Sequence, residues 1–353
     1  MPAYQYVYHL DGLTKIYPGG KKVFENIRLH FLPDAKIGVV GVNGSGKSTL
    51  LRIMAGLDHD IIGEAKPAEG IKVGYLPQEP KLDPSMTVFE NIASPLRVAR
   101  VADAEVRRRV GRIAELLQLG PFLERRPAEL SGGQQQRTAL ARALVKEAAL
   151  VLLDEPLANL DYKLREGLRD ELPRLFADRA CTVVYATTEP SEALLLGGHT
   201  AVLHEGRVLQ YGPAAAVYRE PADLATARAY SDPPINVAQV EKRGSRIVLS
   251  PEVGWDGGPR AGALADGTYI FGLRPHHVLP RTDAASGGVP VEGTVLISEI
   301  SGSESVIHFA LGGLTWVSLS RGVHGLKVGS RARFELDVAR GLYFAPDGPR
   351  VAG

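Results

Sequence analysis

One stretch of eight residues limits what this chain can fold into more than any other: Gly41-Val42-Asn43-Gly44-Ser45-Gly46-Lys47-Ser48. It has the form G-x-x-x-x-G-K-S. It also follows the apolar run Lys36-Ile37-Gly38-Val39-Val40, which reads as a strand, and precedes a helix expected over residues 48–55. Glycines at these positions let the backbone fold back so that successive amide N–H groups face one anion. The N-terminus of the following helix adds partial positive charge at the same point. Lys47 is placed to reach the outer phosphates of a nucleoside triphosphate, and the Ser48 hydroxyl to ligate Mg2+. Gly41, Asn43, Gly44, Ser45, Gly46 and Thr49 complete the ATP-binding set expected here. The competing reading, a glycine-rich turn without a ligand, leaves the flanking strand and helix unexplained.

A strand–loop–helix of this kind implies an α/β domain, and the neighbouring sequence agrees. At residues 26–31, Ile27, Leu29 and Phe31 alternate with Asn26, Arg28 and His30, the period of a half-buried strand. Leu150-Val151-Leu152-Leu153 and Thr182-Val183-Val184-Tyr185 read as buried parallel strands with helical segments between them. Prolines gather over residues 221–235, the clearest break being Asp232-Pro233-Pro234. Beyond them, β-rich runs such as Thr294-Val295-Leu296-Ile297 and Ala332-Arg333-Phe334-Glu335-Leu336 are separated by glycine turns. The expected plan is a P-loop NTPase domain over 1–220 with a helical subdomain near 88–147. A linker over 221–235 and a small all-β, OB-like barrel over 236–353 complete it. A length of 353 residues suits two such cores.

Composition excludes several functions. Forty-one basic and forty acidic side chains give a formal charge of +1, so no long-range field points to nucleic acid or to an anionic membrane surface. The start lacks the basic and apolar regions of a signal peptide, and no run of roughly 20 apolar residues offers a membrane span. Any membrane role is therefore expected to be peripheral. The single cysteine, Cys181, sits in an apolar run and reads as a small buried hydrophobe, consistent with a reducing compartment. His276-His277 is a pair in a turn and reads as structural.

Three further motifs follow the phosphate loop. In Leu130-Ser131-Gly132-Gly133-Gln134, Ser131 and Gln134 form an S-x-x-Q capping box. That is an ordinary helix start, or else a helix tip that presents its dipole to a phosphate on a facing subunit. The run Leu150 to Leu153 ends in Asp154 and Glu155, which are either two solvated acids or a Mg2+ ligand and a water-polarising base. Leu157-Ala158-Asn159-Leu160-Asp161 follows, where Asp161 can also serve as the N-cap of the next helix.

Taken in this order, the four motifs resemble the ATP-binding-cassette family. The resemblance implies two cassettes packed head to tail, with ATP and Mg2+ held between the phosphate loop of one and Ser131, Gly132, Gly133 and Gln134 of the other. It makes Tyr17 the aromatic that stacks on adenine and Gln78 the side chain that touches Mg2+ and water. It adds Asp161 at the loop after the paired acids. Residues 1–83, with Tyr4-Gln5-Tyr6-Val7-Tyr8 and Gly74-Tyr75-Leu76-Pro77-Gln78-Glu79-Pro80, resemble the translation-associated ABC-F ATPases. From Met86 onward the chain is similar to importer ATPases of the maltose, glycerol-3-phosphate and glycerol class. The matches there include Met86-Thr87-Val88-Phe89-Glu90-Asn91, Leu203-His204-Glu205-Gly206-Arg207-Val208 and Phe271-Gly272-Leu273-Arg274-Pro275-His276. The chain thus reads as a composite. A single cassette, and an interval from Gln78 to Ser131 that fits only a compact helical subdomain, favour the importer side.

The importer resemblance implies an ATPase subunit that pairs with a second ABC ATPase, in a homodimer or a heterodimer. It further implies transmembrane permease subunits as partners, a regulatory protein on the barrel, no nucleic acid, and a cytoplasmic position on the inner face of a bacterial cell membrane. Two departures stand out. Tyr185-Ala186-Thr187-Thr188-Glu189-Pro190-Ser191-Glu192-Ala193 places Thr188 where importers carry a histidine, so slow hydrolysis is expected. Glu79-Pro80-Lys81-Leu82-Asp83-Pro84 replaces the aromatic-rich importer segment that faces the permease. An ABC-F-like ribosome-binding ATPase and a nucleotide-gated dimerisation module with little hydrolysis are the alternatives.

Overall fold

A computed structural model describes residues 6–351 apart from 147, 159, 178–179 and 282–286, so Tyr4, Gln5 and Asn159 of the motifs above lie outside the described residues. The chain divides into two units, Met1–Arg219 and Glu220–Gly353. The first unit begins with β1 (Tyr8–Ile16), β2 (Lys22–Phe31), β3 (Lys36–Val40), α1 (Lys47–Met54), β4 (Ile62–Pro67) and β5 (Val73–Leu76). Helices α2 (Val88–Val98), α3 (Asp103–Leu116) and α4 (Gly132–Leu144) follow. The unit closes with β6 (Leu150–Asp154), α5 (Tyr162–Ala177), β7 (Thr182–Thr187), α6 (Pro190–Leu196), β8 (His199–His204), β9 (Arg207–Pro213) and α7 (Ala214–Arg219).

Five strands run parallel in the order β5-β6-β7-β3-β8, and β9 joins the edge antiparallel. The central strands are largely apolar because helices or a second sheet cover both faces. On β6, Leu150 and Leu152 face a core shared with Leu50 and Leu51 of α1 and with Leu10 and Phe31 of the antiparallel sheet β2-β1-β4. Val151 and Leu153 face the opposite core, with Ile92, Val110 and Leu140 of α2, α3 and α4. The alternation read at residues 26–31 matches the burial: Ile27, Leu29 and Phe31 are buried, and Asn26, Arg28 and His30 are exposed.

The second unit is all-β apart from short helices. It contains α8 (Leu224–Ala229), β10 (Asn236–Arg243), β11 (Arg246–Ser250), β12 (Val253–Asp256), α9 (Gly258–Gly262), β13 (Gly267–Leu273) and β14 (Val278–Pro280). The longer strands β15 (Val289–Ser301), β16 (Glu304–Leu311), β17 (Leu314–Arg321) and β18 (Arg331–Leu336) follow, with β19 (Leu342–Phe344) last. Two five-stranded antiparallel sheets, β12-β11-β10-β13-β19 and β14-β18-β15-β16-β17, enclose one barrel-like core. Trp255 and Phe271 enter it from one sheet, and Phe309, Trp316 and Phe334 from the other. Residues 221–235, whose prolines read as a linker, belong structurally to this unit. Ala227 of α8 and Ile235 are buried against Leu342 and Phe344, and the Leu224 N–H donates to the Gly348 carbonyl at 2.9 Å. Proline broke the helical pattern there without making the segment free, because its apolar residues found partners more than 100 positions away.

The rings of Phe309 and Phe334 stack face to face with centroids 3.7 Å apart, and both are fully buried. Phe334→Ala removes one of them and should cost the second unit about 3–5 kcal/mol. Chemical denaturation followed by circular dichroism should show its transition at a lower denaturant concentration.

Candidate active site

The site is built where the parallel strands end, the edge at which open α/β sheets bind ligands. β3 runs straight into the glycine loop. There the Gly41 N–H donates to the Thr187 carbonyl at the end of β7, at 3.4 Å. No side chain fits at position 41, since a Cβ would lie 2.3 Å from the Leu203 carbonyl oxygen and 2.6 Å from the buried Ser45 Oγ. Gly44 and Gly46 take φ angles of 79° and 105°, the left-handed region open to glycine, and Gly46 caps α1.

Lys47, the first residue of α1, is buried. Its Nζ donates to the carbonyls of Gly41 (2.9 Å) and Val42 (3.2 Å) and lies 3.5 Å from Glu155 Oε1. Burial holds its pKa below the usual lysine value, against the opposing pull of Glu155. The Ser48 hydroxyl donates to Asp154 Oδ1 at 3.0 Å. Asp154 ends β6 almost fully enclosed, and burial pushes its carboxyl up to about 6, with the Ser48 bond acting in the opposite direction. Glu155 turns off the strand with φ 46° and donates its N–H to the Ala186 carbonyl at 2.9 Å. A non-glycine residue there costs of order 1–2 kcal/mol, which the paired end of the sheet must sustain. Gln78, two residues beyond β5, donates through Nε2 to Glu155 Oε2 at 3.1 Å.

Tyr17, Asn43, Gly44, Gly46, Lys47, Ser48, Thr49, Gln78 and Glu155 all line one cleft of about 440 Å3. Tyr17 stands partly exposed on its wall, its hydroxyl 3.4 Å from Thr49 Oγ1. Lys21, Lys22, Val23, Glu205 and Gly206 share that wall and belong to none of the motifs. They arrive from the β1–β2 turn with the start of β2, and from the β8–β9 turn; β2 meets the latter through the Glu25 N–H and the Gly206 carbonyl at 3.0 Å. The basic pair four residues after Tyr17 was their one local signal. A larger groove of about 720 Å3 between the edge strands β2 and β9 contains none of the expected site residues.

Other expected residues stand outside the cleft. Ser131, Gly132, Gly133 and Gln134 form the open tip of α4, with the reciprocal capping box in place: Gln134 N–H to Ser131 Oγ at 3.3 Å, and Ser131 N–H to Gln134 Oε1 at 2.9 Å. Asp161 is exposed just ahead of α5, and its carbonyl accepts from the Arg165 N–H. Thr188 is exposed at the end of β7. Beside it, the Thr187 hydroxyl donates to the buried carboxyl of Glu192, and Arg165 pairs with Glu189 at 2.7 Å. The cleft of one chain is therefore lined by the phosphate loop, Gln78 and Glu155, and not by the α4 tip.

Comparison with known proteins gives consistent results. Residues 24–158 match the ABC transporter family. The sn-glycerol-3-phosphate import ATP-binding protein UgpC of Brucella abortus biovar 1 is 36% identical over 86% of this chain and 86% of its own length. Its counterpart in Cupriavidus necator is 34% identical over 97% of this chain and 98% of that protein, and the one in Chromohalobacter salexigens 36% over 97% and 95%. Matches this long run through most of the N-terminal quarter as well as the all-β unit. Among solved structures, a dimeric ATP-binding cassette bound to ADP and Pi is 29% identical, with a TM-score of 0.54, covering 59% of this chain and 98% of that one.

Glu192 supplies a pH test of the region behind Thr188. Burial raises its carboxyl pKa above the ordinary value, so the fold favours the protonated form. The stability penalty is therefore absent at low pH and grows as pH rises from the unfolded value through the folded one. Glu192→Gln should raise the thermal midpoint at pH 8 and change it little at pH 4, in parallel melts of the two proteins.

Proposed function

The chain belongs to the ABC transporter family of ATP-binding proteins, and from that we propose that it is the ATP-hydrolysing subunit of an importer for sn-glycerol-3-phosphate or another sugar, polyol or glycerol-type solute. One observation carries the catalytic part: segments as far apart as Gln78 and Glu155 converge with Lys47 and Ser48 in a single cleft. The full-length likeness to import ATP-binding proteins carries the rest.

In this reading the glycine loop cradles the phosphates, and Lys47 exchanges its carbonyl partners for phosphate oxygens. Ser48 and Asp154 bring two hard oxygen donors to within 3.0 Å of each other, a donor set that suits Mg2+, with Gln78 as a further oxygen ligand. The raised pKa of Asp154 fits too, because a buried carboxylate lacking a cation is the costly state that a divalent ion relieves. Ser48, Asp154 and Gln78 would hold the ion, and it would supply positive charge to offset that of the phosphates. Glu155 orients and polarises the attacking water, Gln78 steadies that carboxylate, and Tyr17 stacks on adenine. Ser131, Gly132, Gly133 and Gln134 close the site from a second ATPase subunit, identical or related, with Asp161 near the crossing.

No helix among the described residues is long and apolar enough to cross a membrane. The likeness to import ATP-binding proteins supports a position on the inner face of a bacterial cell membrane, held by permease partners, with the all-β unit available to a regulatory protein. Thr188 marks the weak point. A threonine hydroxyl can donate a hydrogen bond but cannot carry a proton at neutral pH as imidazole does.

Three measurements test this. Lys47→Ala should abolish Mg-ATP binding in calorimetry, and retained affinity would refute the cleft assignment. Glu155→Gln should keep ATP bound and trap a dimer visible by size-exclusion chromatography. Thr188→His should raise steady-state phosphate release by about tenfold or more, and unchanged turnover would show that the threonine is not what limits hydrolysis.

A further inference from the structure

We propose that Lys15 is a positioning residue for the nucleotide base. Its buried ammonium backs the ring of Tyr17 and ties it to the loop leaving the phosphate helix, so that base stacking and phosphate binding share one frame. The inference rests on the reading of the cleft as an ATP site.

Lys15 lies near the end of β1 and is only 2% exposed. An unpaired ammonium so enclosed is prohibitively costly, and this one is fully occupied. It donates to Asp58 Oδ1 at 2.8 Å, to the Asp60 carbonyl at 2.6 Å and to Asp60 Oδ2 at 3.3 Å. Both acceptor residues sit in the loop between α1 and β4, the direct continuation of the helix that starts at Lys47. With all three N–H groups used, Lys15 has none to offer a ligand and can act only through what it touches. What it touches is Tyr17: the ammonium stands over the ring, 5.2 Å from its centroid. That is within the range at which a cation is attracted to an aromatic face, and the attraction is strongest when the cation is desolvated.

Tyr17 is 40% exposed and lines the cleft, so the ring presents surface to a ligand while the cation backs it. The ring is held again at its hydroxyl by Thr49, in the first turn of α1. Two consequences follow. A ring fixed before the base arrives loses less freedom on stacking. A positive charge behind it also draws π-density away from the free face, which favours an electron-rich purine there. An ordinary structural ion pair between β1 and the α1 exit would do neither.

The test separates base from phosphate in the full-length chain, by titrating ATP and inorganic tripolyphosphate into the parent and its variants. Lys15→Met should weaken ATP about tenfold while tripolyphosphate binds as in the parent, and the loss should appear in KM for ATP rather than in kcat. In a Tyr17→Leu background the same change should add nothing. Lys15→Arg, which keeps the charge, should restore most of the affinity. Equal weakening of both ligands, additive losses with Tyr17→Leu, or unchanged ATP affinity would each overturn the proposal. Should Lys15→Met not fold, Asp60→Ala loosens the ammonium from an exposed carboxylate; an ATP-specific loss of about twofold supports the inference and no loss defeats it. A parent chain that fails to bind ATP overturns the nucleotide reading as well, whereas one that binds ATP without needing Lys15 overturns this inference alone.

Discussion

Two backbone hydrogen bonds hold the site in register: Gly41 N–H to the Thr187 carbonyl, and Glu155 N–H to the Ala186 carbonyl. They extend the parallel pairing of β3 with β7 and of β6 with β7 just past the strands, where the glycine loop and the paired acids begin. Because side chains alternate every residue along a strand, a slip of β6 by one position against β7 would turn Asp154 away from Ser48. The apolar runs on these strands are thus part of the chemistry. By packing both faces of the sheet they fix where Ser48, Asp154 and Glu155 stand relative to one another.

Burial explains the electrostatics. The same enclosure that orders the strand ends removes water from Lys47 and Asp154, and the pKa of each moves toward its neutral form. Lys47 answers with two carbonyls and a carboxylate, and Asp154 with the Ser48 hydroxyl and the Gln78 backbone. Such charges are expensive alone and favourable once an anion and a divalent cation complete them. Near the end of β1 the balance is different. There the Lys15 ammonium is satisfied entirely by Asp58 and Asp60, which makes it a fixed part of the scaffold.

The region behind Thr188 is held together without that side chain. The Thr187 hydroxyl bonds to the Glu192 carboxyl, and Glu189 pairs with Arg165 at the start of α5, whose guanidinium also donates to the Ala158 carbonyl. The loop after the acids and the end of β7 are therefore joined by side chains whatever residue stands at 188. This network constrains the backbone position of Thr188.

What the sequence alone determined was local. The phosphate loop, the capping box at Ser131, the alternation on β2 and the fully apolar strands depend on neighbours within a few positions, through φ preferences, caps and side-chain period. The all-β character of the last hundred or so residues was legible for the same reason. Tertiary structure decided the rest. It packed residues 221–235, which prolines alone marked as a linker, against Leu342 and Phe344. It brought Lys21, Lys22, Glu205 and Gly206 into the cleft wall and set Lys15 behind Tyr17 by pairing it with carboxylates more than 40 positions away. A lysine in an amphipathic strand reads as solvent-facing, and only the chain's return past α1 supplies the two aspartates that allow it to be buried.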